Sequence, residues 1–428
     1  MAALPLNSSL DSEANTIEDL TADEVGDIGL WIGQQKQYRN VPNFVANELS
    51  QRTSALPSVL ALLPPETIPV LQLLKITTPQ VKETFQSSRS SDLFLFHEPT
   101  HTSSECLHLT APSSDFLTQL QACAGQAMLD GKSSIQHWDR KEIFLPFDAL
   151  GTWAQILKIN AAKRAWNDAL QWITGQPQTI PEKYVIRITS LLHQVPWNGY
   201  IKGLGSALTI TDMASFLSRK WLSDLHIDSM LAVTRHLRHE MLSRARPCVE
   251  IISPEFPSHI LTSPLLATTP IAPSYFSKAP KSIIGLGTTI ANAPTGIRIA
   301  SVAFSPPGHW GSLLIDSIAG TISWGDSAGR AAPAGFEDRL RAWLALFIPQ
   351  TQFSTLQDLP CARQTDNYSC GIVAVNTLKH HLFGDDLWTS AHREILRIQE
   401  FLDIIDFSET RRACVSTFSL HANVIHSL

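Results

Sequence analysis

Charge is scarce in this chain and patterned charge scarcer still. Only 17% of its 428 residues are Asp, Glu, Lys or Arg, the formal net charge is −6, and no long basic run occurs. A nucleic-acid surface therefore has no electrostatic support, because affinity for phosphate backbones rests on clustered Lys and Arg. Cysteine is sparse as well. The six cysteines, Cys106, Cys123, Cys248, Cys361, Cys370 and Cys414, form no CxxC pair and no metal-like rhythm. Together with a start that carries no secretory signal, they read as free thiols in a reducing compartment, so an intracellular location, nuclear or cytoplasmic, is expected. No apolar run reaches membrane-spanning length, since Leu56–Leu74 is broken by Pro57, Pro64, Pro65 and Pro69. There is no internal repeat. What remains is a chain that is 44% hydrophobic and long enough for two or three domains with ample core.

The informative stretch is Gln364-Thr-Asp-Asn-Tyr-Ser-Cys370-Gly371, read with Gly308-His309-Trp310 and Trp324-Gly325-Asp326-Ser327 upstream. Cysteine acyl-transfer chemistry needs a thiolate, a base, a carboxylate to fix the base's tautomer, and donors facing the oxyanion. Each of these groups is present. After Cys370, Ile372, Val375, Leu378 or Lys379, and Leu382 recur at helical intervals, which places Cys370 near the first turn of a largely buried helix. There the helix dipole and free N–H groups favour a thiolate. Asp366 and Asn367 are turn formers, and a turn there returns the Gln364 side chain to the sulfur as an oxyanion donor beside the Cys370 N–H.

Residues 311–316 and 321–326 read as two strands joined by a Ser317–Gly320 hairpin turn. In that pairing His309 and Asp326 share the open end and can interact directly. Asp316, at the turn end, lies about 16 Å away along the strand. Asp326 is therefore the preferred carboxylate.

This set of residues resembles the ubiquitin-like-protein-specific cysteine protease family, which includes the SUMO proteases and is related to the adenovirus protease. His309-Trp310, Asp326 seventeen residues after the His, Gln364 and Cys370-Gly371 carry the likeness. Upstream, Arg219-Lys-Trp221-Leu-Ser-Asp224 is similar to the family's Trp-Leu-Asn-Asp segment. The resemblance covers roughly residues 205–428. It implies an α+β, papain-like fold for that region and a His309–Asp326–Cys370 triad with Gln364 as oxyanion donor. The implied reaction is cleavage after the Gly-Gly terminus of a ubiquitin-like, SUMO-like modifier, by processing or deconjugation, with no cofactor, metal or membrane. By the same resemblance Trp221 and Trp310 wall a tunnel that only two glycines thread, and Asp224 faces a basic residue of the modifier. The alternatives are a deubiquitinase or Nedd-type protease, an acyltransferase with the same triad, and a degenerate modifier-binding module. Two departures stand out: Ser369 precedes the nucleophile where the family often has Asp, and Asp366-Asn-Tyr368 replaces an Asn-Gly turn.

Elsewhere the reading is coarser. Residues 1–28 hold seven acids and no Lys or Arg, the composition of a disordered acidic arm. Residues 29–204 read as a mainly helical accessory region, with helices at 41–52, 70–86 and 114–130 and loops at 87–92 and 98–104. The clearest helix is Trp153–Ile173, with a stripe at Trp153, Ile156, Leu157, Ala161, Ala165, Leu170 and Ile173. Trp166 and Trp172 are expected in packing, and Tyr184–Ile188 as a strand or short helix. Past 205, a short helix ends at Leu217 and Ser223 caps a helix to about Arg244, striped at Ile227, Met230, Leu231, Leu237 and Met241. Its Arg235, Arg238, Arg244 and Arg246 suit a helix C-terminus. Residues 247–300 hold eight prolines; Val249–Ile252 and Ile297–Phe304 read as strands, with Pro306-Pro307-Gly308 as the bend before His309. Glu337–Phe347 is an amphipathic helix, Phe353–Leu359 a strand, and 391–407 a last helix. His380, His381 and His392 face different sides of helices and make no metal site.

Overall fold

The computed structural model of the chain describes residues 27–34, 36–82, 90–204, 207–244, 248–267, 274–293 and 295–425, the side chains of 240 and 411–425 excepted. The acidic arm before Asp27, the loop at 87–89, Arg246 and the Cys414 side chain lie outside the described residues. The class is α+β, with helices flanking two sheets. Among the described residues no helix is long and apolar enough to cross a membrane. The chain divides into two compact units, residues 1–65 with 76–161, and residues 66–75 with 162–428.

In the first unit, helices Asn43–Arg52 and Ser114–Leu129 bury Val45, Leu49, Phe116 and Leu120. Ser113 caps the second of these by accepting the Phe116 N–H at 3.3 Å. Three short antiparallel strands, β1 (Phe94–Leu95), β2 (Ser134–Gln136) and β3 (Phe144–Leu145), place Phe94, Ile135 and Leu145 in register. Of the expected helix at 70–86, the described residues form Val70–Lys75, which belongs to the second unit, and 83–86 lie outside the described residues. Thr77, Thr78 and Pro79 follow, and the pre-proline position and the β-branched pair disfavour continuing the helix.

The helix read at Trp153–Ile173 runs Ala149–Thr174. Its buried face is Trp153, Ile156, Ile159, Ala162, Trp166, Ala169 and Ile173, while Ala161 is exposed. The face has turned so that Trp153 and Trp166 are fully buried, with Trp172 half-buried, because the largest apolar areas gain most from leaving water. Tyr184–Ile188 lies in a helix, Glu182–Leu192.

The second unit carries a five-stranded sheet in the order β4 (Cys248–Ile251), β5 (Ile297–Ser305), β6 (His309–Asp316), β7 (Thr321–Gly325), β8 (Gln357–Asp358). β5, β6 and β7 are antiparallel, and the outer strands β4 and β8 add in parallel. Ile299, Ala303, Leu313, Ile315 and Ile322 bury one face against helices Glu255–Thr262 and Phe336–Phe347 through Phe256, Leu340 and Trp343. The other face receives helix Cys370–Phe383, where the Ser312 hydroxyl donates to the Ala374 carbonyl at 2.9 Å. Nine consecutive residues from Cys370 to Leu378 are buried, so this helix is held on all sides.

Two expected elements are shorter than the sequence suggests. Phe353–Leu359 contributes only Gln357–Asp358 to the sheet. The helix capped by Ser223 stops at Leu237, and His239–Arg244 follows as a separate turn. Leu237 and Met241 are 57% and 47% exposed, so the apolar stripe has no core to follow past Val233. Arg238 then serves as a tether, donating to both oxygens of Asp385 at 2.8 and 2.9 Å. The last helix extends well past 407, as Arg393–Ile425.

Candidate active site

The hairpin geometry places the base and its carboxylate. Gly308 adopts φ 91°, a conformation that side-chain-bearing residues rarely reach, and turns the chain from β5 into β6 with His309 as the first residue. Asp326 directly follows β7 at the same end. His309 Nε2 lies 3.1 Å from Asp326 Oδ1, with both side chains almost fully buried. Oδ1 also accepts the N–H groups of Ala328 and Arg330 at 2.8 and 3.2 Å. Oδ2 is buried with no partner among the described residues, so the carboxylate's polar contacts all converge on Oδ1. Asp316, at the hairpin end, is occupied with Arg298 at 2.7 Å and with the turn N–H groups of Ile318 and Ala319.

Cys370 opens its helix and is 1% exposed. Burial pushes the thiol up, but the hydrogen bond from His309, the Trp310 backbone N–H and the Trp221 indole outweigh it and hold Cys370 below the ordinary thiol range. The Trp221 indole N–H donates to the sulfur at 3.1 Å. Burial likewise pulls His309 down, yet its bonds to Asp326 and Cys370 raise it to about 9. Asp326 is lowered: burial opposes the shift, and the bonds from His309 and the two N–H groups carry it. With Nε2 committed to the carboxylate, Nδ1 is the nitrogen left for the sulfur.

Gln364 sits on the turn before the nucleophile. Its amide nitrogen donates to the Asp366 carbonyl at 2.7 Å, and its amide oxygen accepts from Ser327 at 2.6 Å. The turn itself is tied by the Asp366 carboxylate, which accepts the N–H groups of Tyr368 and Ser369 and the Ser369 hydroxyl. This accounts physically for Ser369 standing before the cysteine: it is a donor to the turn's own carboxylate. Arg397, wholly buried, donates to the carbonyls of Ser215, Phe216, Lys220 and Tyr368. It thereby clamps the segment leading to Trp221 onto the turn leading to Cys370. Desolvation lowers Arg397 to about 10, while nearby negative groups, Cys370 among them, oppose the shift.

Beside the sulfur lies a cleft of about 530 Å³, lined by Trp221, Asp224, Asp228, Glu255, Phe304 and Trp310 among others. Trp221 and Trp310 stack on each other at 5.6 Å and 16°, and Phe304 meets both edge-on. Trp310 is fixed by its indole N–H to the Leu222 carbonyl at 2.9 Å. The three rings form one apolar wall, and the three carboxylates form an acidic rim with no Lys or Arg among the described lining residues.

The fold thus brings together His309, Asp326, Cys370, Gln364, Trp221, Trp310 and Asp224. Phe304, Ser327 and Arg397 received no role in the site from the sequence, whereas Asp366, read as a turn former, ties its turn through the carboxylate. Ser327 had one signal, its place directly after Asp326. Arg397 had none, being one charged residue within an ordinary amphipathic helix. His380, His381 and His392 engage the Asp385 carbonyl, the Pro360 carbonyl and the Thr389 hydroxyl. Among the described residues no group of three or more His, Cys, Asp or Glu is arranged to hold a metal ion.

No protein-family model and no curated protein matches the chain. Among solved structures it is similar to the C-terminal Ulp1 protease domain in complex with Smt3, the yeast ortholog of SUMO. That likeness has 18% identity over 54% of this chain and 97% of that one, with a TM-score of 0.38. The Ulp1-like SUMO protease catalytic domain of Chaetomium thermophilum matches at 14% identity over 53% and 88%, with a TM-score of 0.35. The Xanthomonas campestris effector XopD bound to ubiquitin matches at 17% over 43% and 90%, with a TM-score of 0.29.

Proposed function

We propose that the chain is a cysteine peptidase or isopeptidase that cleaves after the C-terminal Gly-Gly of a ubiquitin-like, SUMO-like modifier, with residues 205–428 as a papain-like catalytic domain. The observation that carries the reading is the buried His309–Asp326 pair beside Cys370, whose thiol is held low at the start of a buried helix.

The Cys370 thiolate attacks the carbonyl carbon of the modifier's last glycine, and the carbonyl electron pair moves onto oxygen. The Cys370 N–H, in the first helical turn with no intrahelical acceptor, and the Gln364 amide face that oxyanion. Collapse breaks the C–N bond, and the Nδ1 proton of His309 passes to the leaving lysine amine. Water then gives a proton back to His309 as it attacks the thioester, releasing the glycine carboxyl and the thiolate. Asp326 keeps the imidazole oriented throughout and stabilises it whenever it carries the proton. The flat aromatic wall of Trp221, Phe304 and Trp310 beside the sulfur suits a slender Gly-Gly terminus. The rim of Asp224, Asp228 and Glu255 suits a basic residue on the modifier.

Cys370→Ala should abolish cleavage of a fluorogenic SUMO-type substrate by the full chain while binding of the intact modifier persists. Residual turnover by that variant, at the wild-type rate, overturns the assignment. A panel of modifiers carrying a C-terminal electrophile identifies the preferred one, since only that modifier forms the Cys370 adduct rapidly.

A further inference from the structure

We propose that Ser327 is a positioning residue that sets the orientation of the Gln364 amide toward the oxyanion; this rests on the reading of the site given above. Ser327 is 4% exposed and follows Asp326 at the end of β7. Its hydroxyl donates to the Gln364 amide oxygen at 2.6 Å. On the opposite side the Gln364 amide nitrogen donates to the Asp366 carbonyl at 2.7 Å. A carbonyl only accepts, so nitrogen must face Asp366 and oxygen must face Ser327. The Gln364 backbone N–H, bonded to the Ser327 carbonyl at 3.1 Å, holds the two residues side by side. The amide is therefore fixed at both ends, with one N–H spent on Asp366 and the second free for an oxyanion.

The same hydroxyl oxygen lies 3.5 Å from His309 Nε2. Having given its proton to Gln364, Ser327 turns lone pairs toward the Nε2–H that Asp326 also accepts. Donors then run one way, from imidazolium to hydroxyl to amide, and a charged imidazole polarises the amide N–H in the same sense. At 3.5 Å the histidine contact is at the limit of a hydrogen bond, so the weight falls on the short bond to Gln364.

Because an oxyanion exists only in the transition state and intermediate, loss of the orientation should fall on kcat and spare KM. Removing an oxyanion donor outright costs about 10²–10³ in turnover; misorienting it should cost less, about 10-fold. The experiment uses the full chain and its preferred fluorogenic modifier substrate, with kcat and KM measured for wild type, Ser327→Ala, Ser327→Thr, Gln364→Ala and the Ser327→Ala/Gln364→Ala double variant. The pH midpoint of Cys370 alkylation by iodoacetamide is measured in parallel. Expected are a roughly 10-fold lower kcat for Ser327→Ala with KM unchanged, recovery in Ser327→Thr, and no further loss in the double variant beyond Gln364→Ala alone. The alkylation midpoint should stay at the wild-type value, since Ser327 does not touch the sulfur.

Wild-type kcat in Ser327→Ala, or a double variant slowed by the product of the two single effects, overturns the proposal. So does a shifted alkylation midpoint, which would place the effect on His309 instead. A wild-type chain inactive on every modifier substrate removes the protease reading itself, and this proposal with it.

Discussion

His309 and Cys370 set each other's charge. The imidazole is raised to about 9 and the thiol is held below its ordinary range, each by its bond to and charge beside the other, which favours the imidazolium–thiolate pair. Rate should rise with pH as the thiolate forms, stay level, and fall as His309 loses its proton near pH 9. Asp326→Asn removes the charge that raises His309, so the alkaline limb should move to lower pH. A kcat/KM profile for both proteins checks this, and an unmoved limb would contradict it. At this scale the sequence was most readable where a residue type has few other uses. A Cys-Gly pair, a His-Trp pair and an Asp at fixed spacing carry chemistry in their identity. Ser327 and Arg397 do not, because serine and arginine serve too many ordinary roles for their position to speak before their partners are known.

The hairpin of β6 and β7 is the element on which the site depends, since its register fixes the separation of His309 and Asp326. Gly311 of β6 lies against the Trp324 ring of β7, and a Cβ there would intrude on the indole. Trp324 is only 5% exposed and packs on Phe336, so it has little room to yield. Gly311→Ala should therefore cost about 1–3 kcal/mol of stability, the usual range for overpacking, and lower turnover with it. Chemical denaturation measures the first and the fluorogenic assay the second; an unchanged midpoint would show that the ring moves aside freely. This hairpin was legible because alternating apolar strands around Ser317–Gly320 leave few other arrangements. β8 was not, because Phe353–Leu359 has strand-like composition while only Gln357 and Asp358 find a partner edge. Nor was the end of the helix at Leu237. A stripe records which residues are apolar, and whether a core lies opposite them is settled by distant chain.

At the scale of the molecule, the site belongs to a unit assembled from separated stretches, residues 66–75 and 162–428. Segment 66–75 joins it through Val70 N–H to the Val195 carbonyl and Trp197 N–H to the Ile68 carbonyl, both at 3.0 Å. Trp166 joins it through an edge contact with Phe401 of the last helix. Neither could be read from local pattern, because each pairs residues more than a hundred positions apart and leaves no periodic trace in either partner. The same long reach separates the chain's thiols into different environments. Burial pushes Cys106 and Cys361 up, whereas Cys370 alone of the three is brought down, by His309 and two indole-borne and backbone N–H groups. The most direct test of the account is the rate of iodoacetamide alkylation at each cysteine of the folded full-length chain as a function of pH, resolved by peptide mass spectrometry. Cys370 should react with a midpoint below that of an ordinary thiol, ahead of Cys106 and Cys361, and His309→Ala should move that midpoint upward. A Cys370 midpoint at or above the ordinary thiol value, unchanged by His309→Ala, would contradict the claim that an imidazole-activated thiolate is the working group of this protein.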